Sequence, residues 1–198
     1  MNTEKDIAAL IGSRICHDLI SPIGAIGNGV ELLSMAGSVS GPEMSLISES
    51  VANANARIRF FRIAFGAAQK GQIIGQDEVA AIIRDLNQSG RVQIEWSSDT
   101  TLPRDQVKLV FLLIQCCESA MPYGGTVKVQ RQDERWGLSC NGRRIQIDPL
   151  LWQMLISNQH MHDVSPSNVH FALVPGAVQQ SGRVLQTELS DSEITLQF

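Results

Sequence analysis

Two apolar series spaced for helix packing fill residues 1–70, and together they present more apolar surface than two helices can cover. Over residues 6–35 only Pro22 opposes helix, and Ile15, Leu19, Pro22, Ile26 and Leu33 recur in steps of three and four, with Gly29 in the one vacant place. Ile7, Ile11, Ile23 and Val30 flank that seam and widen it beyond the reach of a single neighbouring helix. Residues 37–42 join turn formers to a proline suited to a first helical turn, which predicts the closed end of an antiparallel hairpin. The second series, Met44, Ile47, Val51, Ala54, Ile58, Phe61, Phe65 and Ala68, keeps the same alternation. A four-helix bundle needs two more helices, and no second hairpin pattern follows. A homodimer of two hairpins is therefore the economical arrangement.

Beyond Gly71 the texture changes. Residues 77–87 read as a short helix, 91–96 as an alternating strand, and 103–121 as a buried helix opened by Pro103. Residues 126–130, 136–140, 183–189 and 193–198 have the look of an antiparallel sheet, with helices near 149–156 and 167–180 between them. Strands with interspersed helices predict an α+β fold: a helical hairpin over residues 1–71, then a two-layer α/β sandwich over 76–198.

The formal net charge of −4 and the lack of any basic run argue against a groove that follows nucleic-acid phosphates. Protein partners are expected instead. Glu4, Lys5 and Asp6 interrupt the start where a secretory segment would be apolar, and no stretch approaches the length of a membrane span, so a cytoplasmic protein without membrane association is expected. The four cysteines, Cys16, Cys116, Cys117 and Cys140, form no C-x-x-C pair, and the four histidines have no zinc-type spacing. No metal site is expected, and the cysteines read as small hydrophobes.

At about 100° per residue, Ile11, Ile15, Leu19, Ile26, Val30 and Leu33 fall in one arc of the first helix, and His17 lies nearly opposite its centre. His17 should face water. Asp18 follows it, Pro22 sits one turn on, and Ser21, Gly24, Gly27 and Asn28 leave the next turns of that face uncrowded beside a lone Ile20. An interior proline removes a backbone hydrogen bond at about 3 kcal/mol, here releasing the Asp18 carbonyl and bending the helix beneath the histidine. An exposed neutral imidazole is nucleophilic enough to take a phosphoryl group, and an adjacent carboxylate can fix which ring nitrogen attacks.

Residues 17–26, HDLISPIGAI, resemble the phosphoacceptor box of two-component sensor kinases, H-[ED]-L-x-x-P-x-x-x-I, which stands on the first helix of a dimeric hairpin. Every anchor is present. In those kinases an ATP-binding (GHKL or Bergerat-like) sandwich follows, so the resemblance extends over nearly the whole chain. Its nucleotide motifs, however, are lost. Residues 113–127 resemble the asparagine-bearing helix and its Pro-x-Gly-Gly exit, but Gln115 or Cys116 stands where the magnesium-holding asparagine belongs, with Glu118 nearby. Residues 138–145 resemble the D-x-G-x-G box, with Cys140 for the aspartate and Arg144 for the second glycine. Residues 165–172, where a glycine-rich phosphate loop is due, contain no glycine.

A kept phosphoacceptor beside an erased ATP site resembles the ChpT-type histidine phosphotransferases of bacterial phosphorelays, and residues 57–66 are similar to that family's second helix. The resemblance implies a homodimer without a cofactor of its own. It would accept phosphate on His17 from the receiver domain of a hybrid sensor histidine kinase and pass it to response regulators, CtrA-like ones included, with Mg2+ only on the receiver. Asp18 would act with His17, Pro22 would kink the helix, and Ile20, Ser21, Gly24 and Asn28 would form the docking face. The alternative is a non-catalytic dimeric adaptor or kinase inhibitor. His170 reads as packed, His160 and His162 as solvent-exposed, and Arg57, Arg59 and Arg62 as a solvated helix face.

Overall fold

A computed structural model describes residues 2–36, 41–69, 71–88, 90–98, 101–156, 164–190 and 192–198. Helix α1 (Asn2–Ala36) runs on through Pro22, and α2 (Pro42–Ala64) starts on its proline. The two lie antiparallel: Asp18 in the first half of α1 meets Arg57 near the end of α2, while Gly29 in the second half meets Glu43 and Ile47 near its start. The vacancy in the apolar seam at Gly29 is filled by the Ile47 side chain, which a Cβ would strike. Residues 37–40, the expected turn, lie outside the described residues.

The second apolar series runs to Ala68, but α2 ends at Ala64. Carbonyls at and just beyond its end are taken up by another element: Arg104 donates to Arg62 O at 3.4 Å and Lys108 to Gly66 O at 2.8 Å. Those lysine and arginine side chains belong to α4 (Arg104–Ala120), so the end of the hairpin is fastened to the following layer. Ala68 is buried all the same, on non-helical backbone.

That layer begins with β1 (Ile73–Gly75), α3 (Gln76–Asn87), β2 (Val92–Ser97) and β3 (Thr101–Pro103), then α4. Pro103 stands at the N-cap of α4, as expected, and at the same time ends β3, which pairs antiparallel with β1. After α4 come β4 (Gly125–Gln132), β5 (Arg135–Gly142), α5 (Pro149–Met154), a 3-10 turn (Pro166–Asn168), α6 (Val169–Ser181), β6 (Gln186–Leu189) and β7 (Glu193–Gln197). β6 starts later than the sequence suggests because Gly182, at φ 66°, closes α6 in the left-handed region and Leu185 turns into the core first.

The main sheet has the order β2-β4-β5-β7-β6 and is mixed rather than antiparallel. β2 and β4 run parallel because the chain between them, residues 98–124, crosses over through α4. Val92, Ile94, Val127, Val129, Leu138, Cys140, Ile194 and Leu196 are buried on one face. Gln93, Glu95, Lys128, Gln130 and Gln197 alternate with them and are exposed, so helices cover one side only. α4 is the centre of that cover: every residue from Leu109 to Cys117 is buried. Phe60 of α2 stacks on Phe111 with ring centroids 4.5 Å apart, and Phe60, Phe61, Ile63 and Ala64 share one core cluster with the sheet. Among the described residues no helix is long and apolar enough to cross a membrane.

The edge strand β2 is fixed by a side chain acting as a missing strand. Asn87 donates from Nδ2 to Ile94 O and accepts at Oδ1 from Ile94 N, each at 2.9 Å. Asn87→Ala leaves both backbone groups without that partner and is expected to lower stability by about 1–3 kcal/mol, seen as a lower urea midpoint at unchanged m-value.

Candidate functional site

The His17 side chain is 82% exposed, as the helical projection requires, whereas its neighbour Asp18 is 8% exposed. The two meet: His17 Nδ1 lies 3.1 Å from Asp18 Oδ1. A carboxylate only accepts, so the proton of the neutral ring sits on Nδ1 and Nε2 is left as an outward lone pair.

Asp18 is held from its other side. Arg14, one helical turn before it, places Nε 3.0 Å from Oδ2, and Arg57 reaches across from α2 to 3.7 Å. Arg14 also donates from Nη1 to the Ser167 carbonyl at 2.8 Å, in the 3-10 turn that leads into α6. Arg57 is braced by a 3.1 Å hydrogen bond to Asn53. Arg57 is thus half-buried and partnered rather than part of a solvated face. Arg59 pairs with Asp85 of α3, and Arg62, though exposed, is 3.0 Å from Glu78.

These charges line a small crevice of about 40 Å³ between the two helices and the α/β layer, which Gln115 and Glu118 of α4 complete. Burial pushes the Glu118 carboxyl above its ordinary range and the Asp18 charge adds to this, against the opposing pull of Arg57, Arg14 and Arg91. Gln115 is 2% exposed, and neither of its amide atoms has a hydrogen-bond partner.

The remaining expected residues fall as follows. Ile20 is 68% exposed, and Ser21, Gly24 and Asn28 are exposed on the same side as His17. A Cβ at Gly24 or Gly27 would meet nothing within 4 Å. Pro22 is buried in the seam. His170 is fully buried: Ser119 Oγ donates to Gln115 O at 2.9 Å and stands 3.1 Å from His170 Nε2, so that nitrogen carries the proton, and burial brings the imidazole down to about 3. His160 and His162 lie outside the described residues. Cys116, Cys117 and Cys140 are buried, and burial raises the Cys116 and Cys117 thiols well above their usual value. The segment in the phosphate-loop position forms the 3-10 turn and the first residues of α6.

Sequence reasoning missed the Arg14–Asp18–Arg57 group. Arg14 stands four residues before Asp18, a signal open to view; the approach of Arg57 follows from tertiary packing.

Comparison with known proteins agrees with this geometry. The family profile "Histidine phosphotransferase C-terminal domain" matches residues 76–193. The chain is 37% identical over 150 residues to Protein phosphotransferase ChpT of Brucella abortus (strain 2308), covering 73% of this chain and 71% of that protein. A solved bacterial phosphotransferase superimposes with a TM-score of 0.80 at 28% identity, over 97% of this chain and 95% of that one. The chain belongs to the histidine phosphotransferase family. Within it, the protein is of the ChpT type.

Folded Glu118 holds its proton more tightly than the unfolded chain does, so it removes stability as pH rises from the ordinary 4.5 through its raised value. Glu118→Gln abolishes that slope. Its melting temperature is expected to gain on the wild type as pH rises above 4.5 and then to level off, as differential scanning calorimetry can follow.

Proposed function

We propose that the protein is a phosphorelay carrier: His17 accepts a phosphoryl group from a receiver-domain aspartate of a hybrid sensor kinase and passes it to response regulators, CtrA-like ones among them, in the cytoplasm and without ATP. The observation that carries this reading is the exposed His17 whose Nδ1 is bonded to a nearly buried carboxylate. The Nε2 lone pair attacks phosphorus, the N–P bond forms as the bond to the aspartyl oxygen breaks, and the aspartate leaves as a carboxylate. The ring becomes cationic, and Asp18 stabilises the charge through the Nδ1 proton. Any Mg2+ belongs to the receiver.

The α/β sandwich over residues 76–198 is a degenerate kinase-like domain in this reading. Its asparagine position holds the buried Gln115 or Cys116, and its aspartate position the buried Cys140. A thiol does not replace a carboxylate as acceptor for an adenine amino group. Receiver docking is assigned to Ile20, Ser21, Gly24 and Asn28, where the glycine lets a partner backbone come close to His17.

Residues 1–71 form the dimerising hairpin. Ile23, Val30, Val51 and Ile58 are all 41–58% exposed. At about 100° per residue they lie on the same flank of the antiparallel pair, which a second hairpin would cover to complete a four-helix bundle.

Incubation with a phosphorylated receiver is expected to place acid-labile, base-stable label on the wild type and none on His17→Gln, while labelled Mg-ATP as sole donor gives none. Gly24→Leu, which has room within the chain, and Ile20→Glu should slow transfer at least about tenfold, or about 1.4 kcal/mol, with circular dichroism unchanged. An adaptor or inhibitor would bind the receiver without becoming labelled.

Charged substitution at Phe61 would disrupt the core it occupies. Ile23→Glu and Ile58→Glu sit on the uncovered flank and are expected to halve the mass seen by light scattering while keeping the helical spectrum.

A further inference from the structure

A polar contact joins α1 to the α/β layer one turn before the phosphoacceptor, the bond from Arg14 to Ser167 O. Three contacts run in series. The Ser167 carbonyl fixes Arg14 Nη1, Arg14 Nε lies against Asp18 Oδ2, and Asp18 Oδ1 holds His17 Nδ1. Arg14 is 19% exposed and Asp18 8%, so both are largely withdrawn from water, and the Nε to Oδ2 contact pairs their charges without the alignment of a hydrogen bond. The imidazole at the end of the series is the exposed member.

From this geometry we infer that Arg14 is a positioning residue, through which the α/β layer sets the orientation and tautomer of His17. The inference deepens the phosphorelay reading and rests on it. Neighbouring side chains on a helix diverge by about 100°, so Asp18 does not meet His17 by virtue of sequence alone. Its carboxylate must be drawn to one rotamer, and a guanidinium anchored at its far arm does that better than a free cation. Arg57 stands farther off, at 3.7 Å, and its Nε is already committed to Asn53. A fork with two donors in fixed relation suits the bridging task, whereas an ammonium reaches one acceptor or the other. Without Arg14 the Asp18 carboxylate turns toward Arg57 and the remaining crevice. The His17 ring then loses its Nδ1 partner, and the proton redistributes between the two nitrogens. Fewer rings then present the Nε2 lone pair that attacks.

The effect falls on the reacting step and not on docking, because Arg14 lies on the buried side of α1, away from Ile20 and Gly24. Arg14→Ala and Arg14→Lys in the full-length chain test this. Nitrogen-15 NMR of the unphosphorylated protein should show His17 in the Nδ1–H form in the wild type, a mixture with the Nε2–H form in Arg14→Ala, and an intermediate ratio in Arg14→Lys. Transfer from a phosphorylated receiver should lose about tenfold in maximal rate in Arg14→Ala, with the half-saturating receiver concentration unchanged and partial recovery in Arg14→Lys. A wild-type ring protonated on Nε2, or a tautomer ratio that Arg14→Ala leaves unaltered, overturns the proposal. So does a loss confined to the half-saturating concentration. If Arg14→Ala unfolds, Arg14→Lys carries the same two readouts. Should wild-type His17 take no label, the relay reading fails, while the tautomer measurement still decides whether Arg14 positions the ring.

Discussion

A helix apolar on every side is stable only where protein surrounds it, and α4 is such a helix. From Leu109 to Cys117 no residue is left to solvent, so the sheet, α6 and the end of α2 must close around it. The parallel pairing of β2 with β4 follows, because the crossover that delivers α4 to the face of the sheet reverses the chain direction twice. The docking of the two N-terminal helices follows too: Phe60 stacks on Phe111, and Arg104 and Lys108 on the first turns of α4 bond carbonyls at and just beyond the end of α2. Hairpin and sandwich are thereby one packed body at this end.

That packing creates the polar crevice. Gln115 and Glu118 lie on α4 where it meets the hairpin, and α1 and α2 lay Asp18, Arg14 and Arg57 over them. A carboxylate withdrawn from water needs partners, and two arginines supply charge where water cannot. Gln115 marks the cost of the arrangement. Its amide is enclosed without a hydrogen bond, in a place too small for a nucleotide and large enough for a water or two.

Much of this was legible in the sequence because it depends on periodicity. The seam of α1, the exposure of His17, the buried α4 and the packed His170 all follow from which face a residue occupies. Where the expectations departed, tertiary structure decided. Pro103, besides preceding α4, ends a three-residue ladder with β1, a pairing no local pattern encodes. The arginines of α2 looked like a solvated face since alternate faces of a polar helix are alike in sequence; the neighbours Asp18, Asp85 and Glu78 make them partners. Arg14 belongs to the same class. Its spacing to Asp18 is visible, but its bond to Ser167 joins residues 153 positions apart.

In the proposed relay, the phosphohistidine must lose its phosphoryl group as readily as it gains it. A free carboxylate beside the ring would stabilise the cationic phosphorylated imidazole strongly and so favour the loaded state. Asp18 is not free: one oxygen faces His17, and the other faces Arg14 and Arg57. Its charge is divided between the imidazole and two guanidiniums, so the ring receives orientation in full and electrostatic stabilisation in part. Enclosure of Asp18 is therefore compatible with transfer in both directions, and it explains why an exposed nucleophile is paired with a nearly buried carboxylate. The α/β layer contributes to that enclosure: its Ser167 carbonyl holds Arg14, and its Gln115 and Glu118 line the crevice in which the charge of Asp18 is divided.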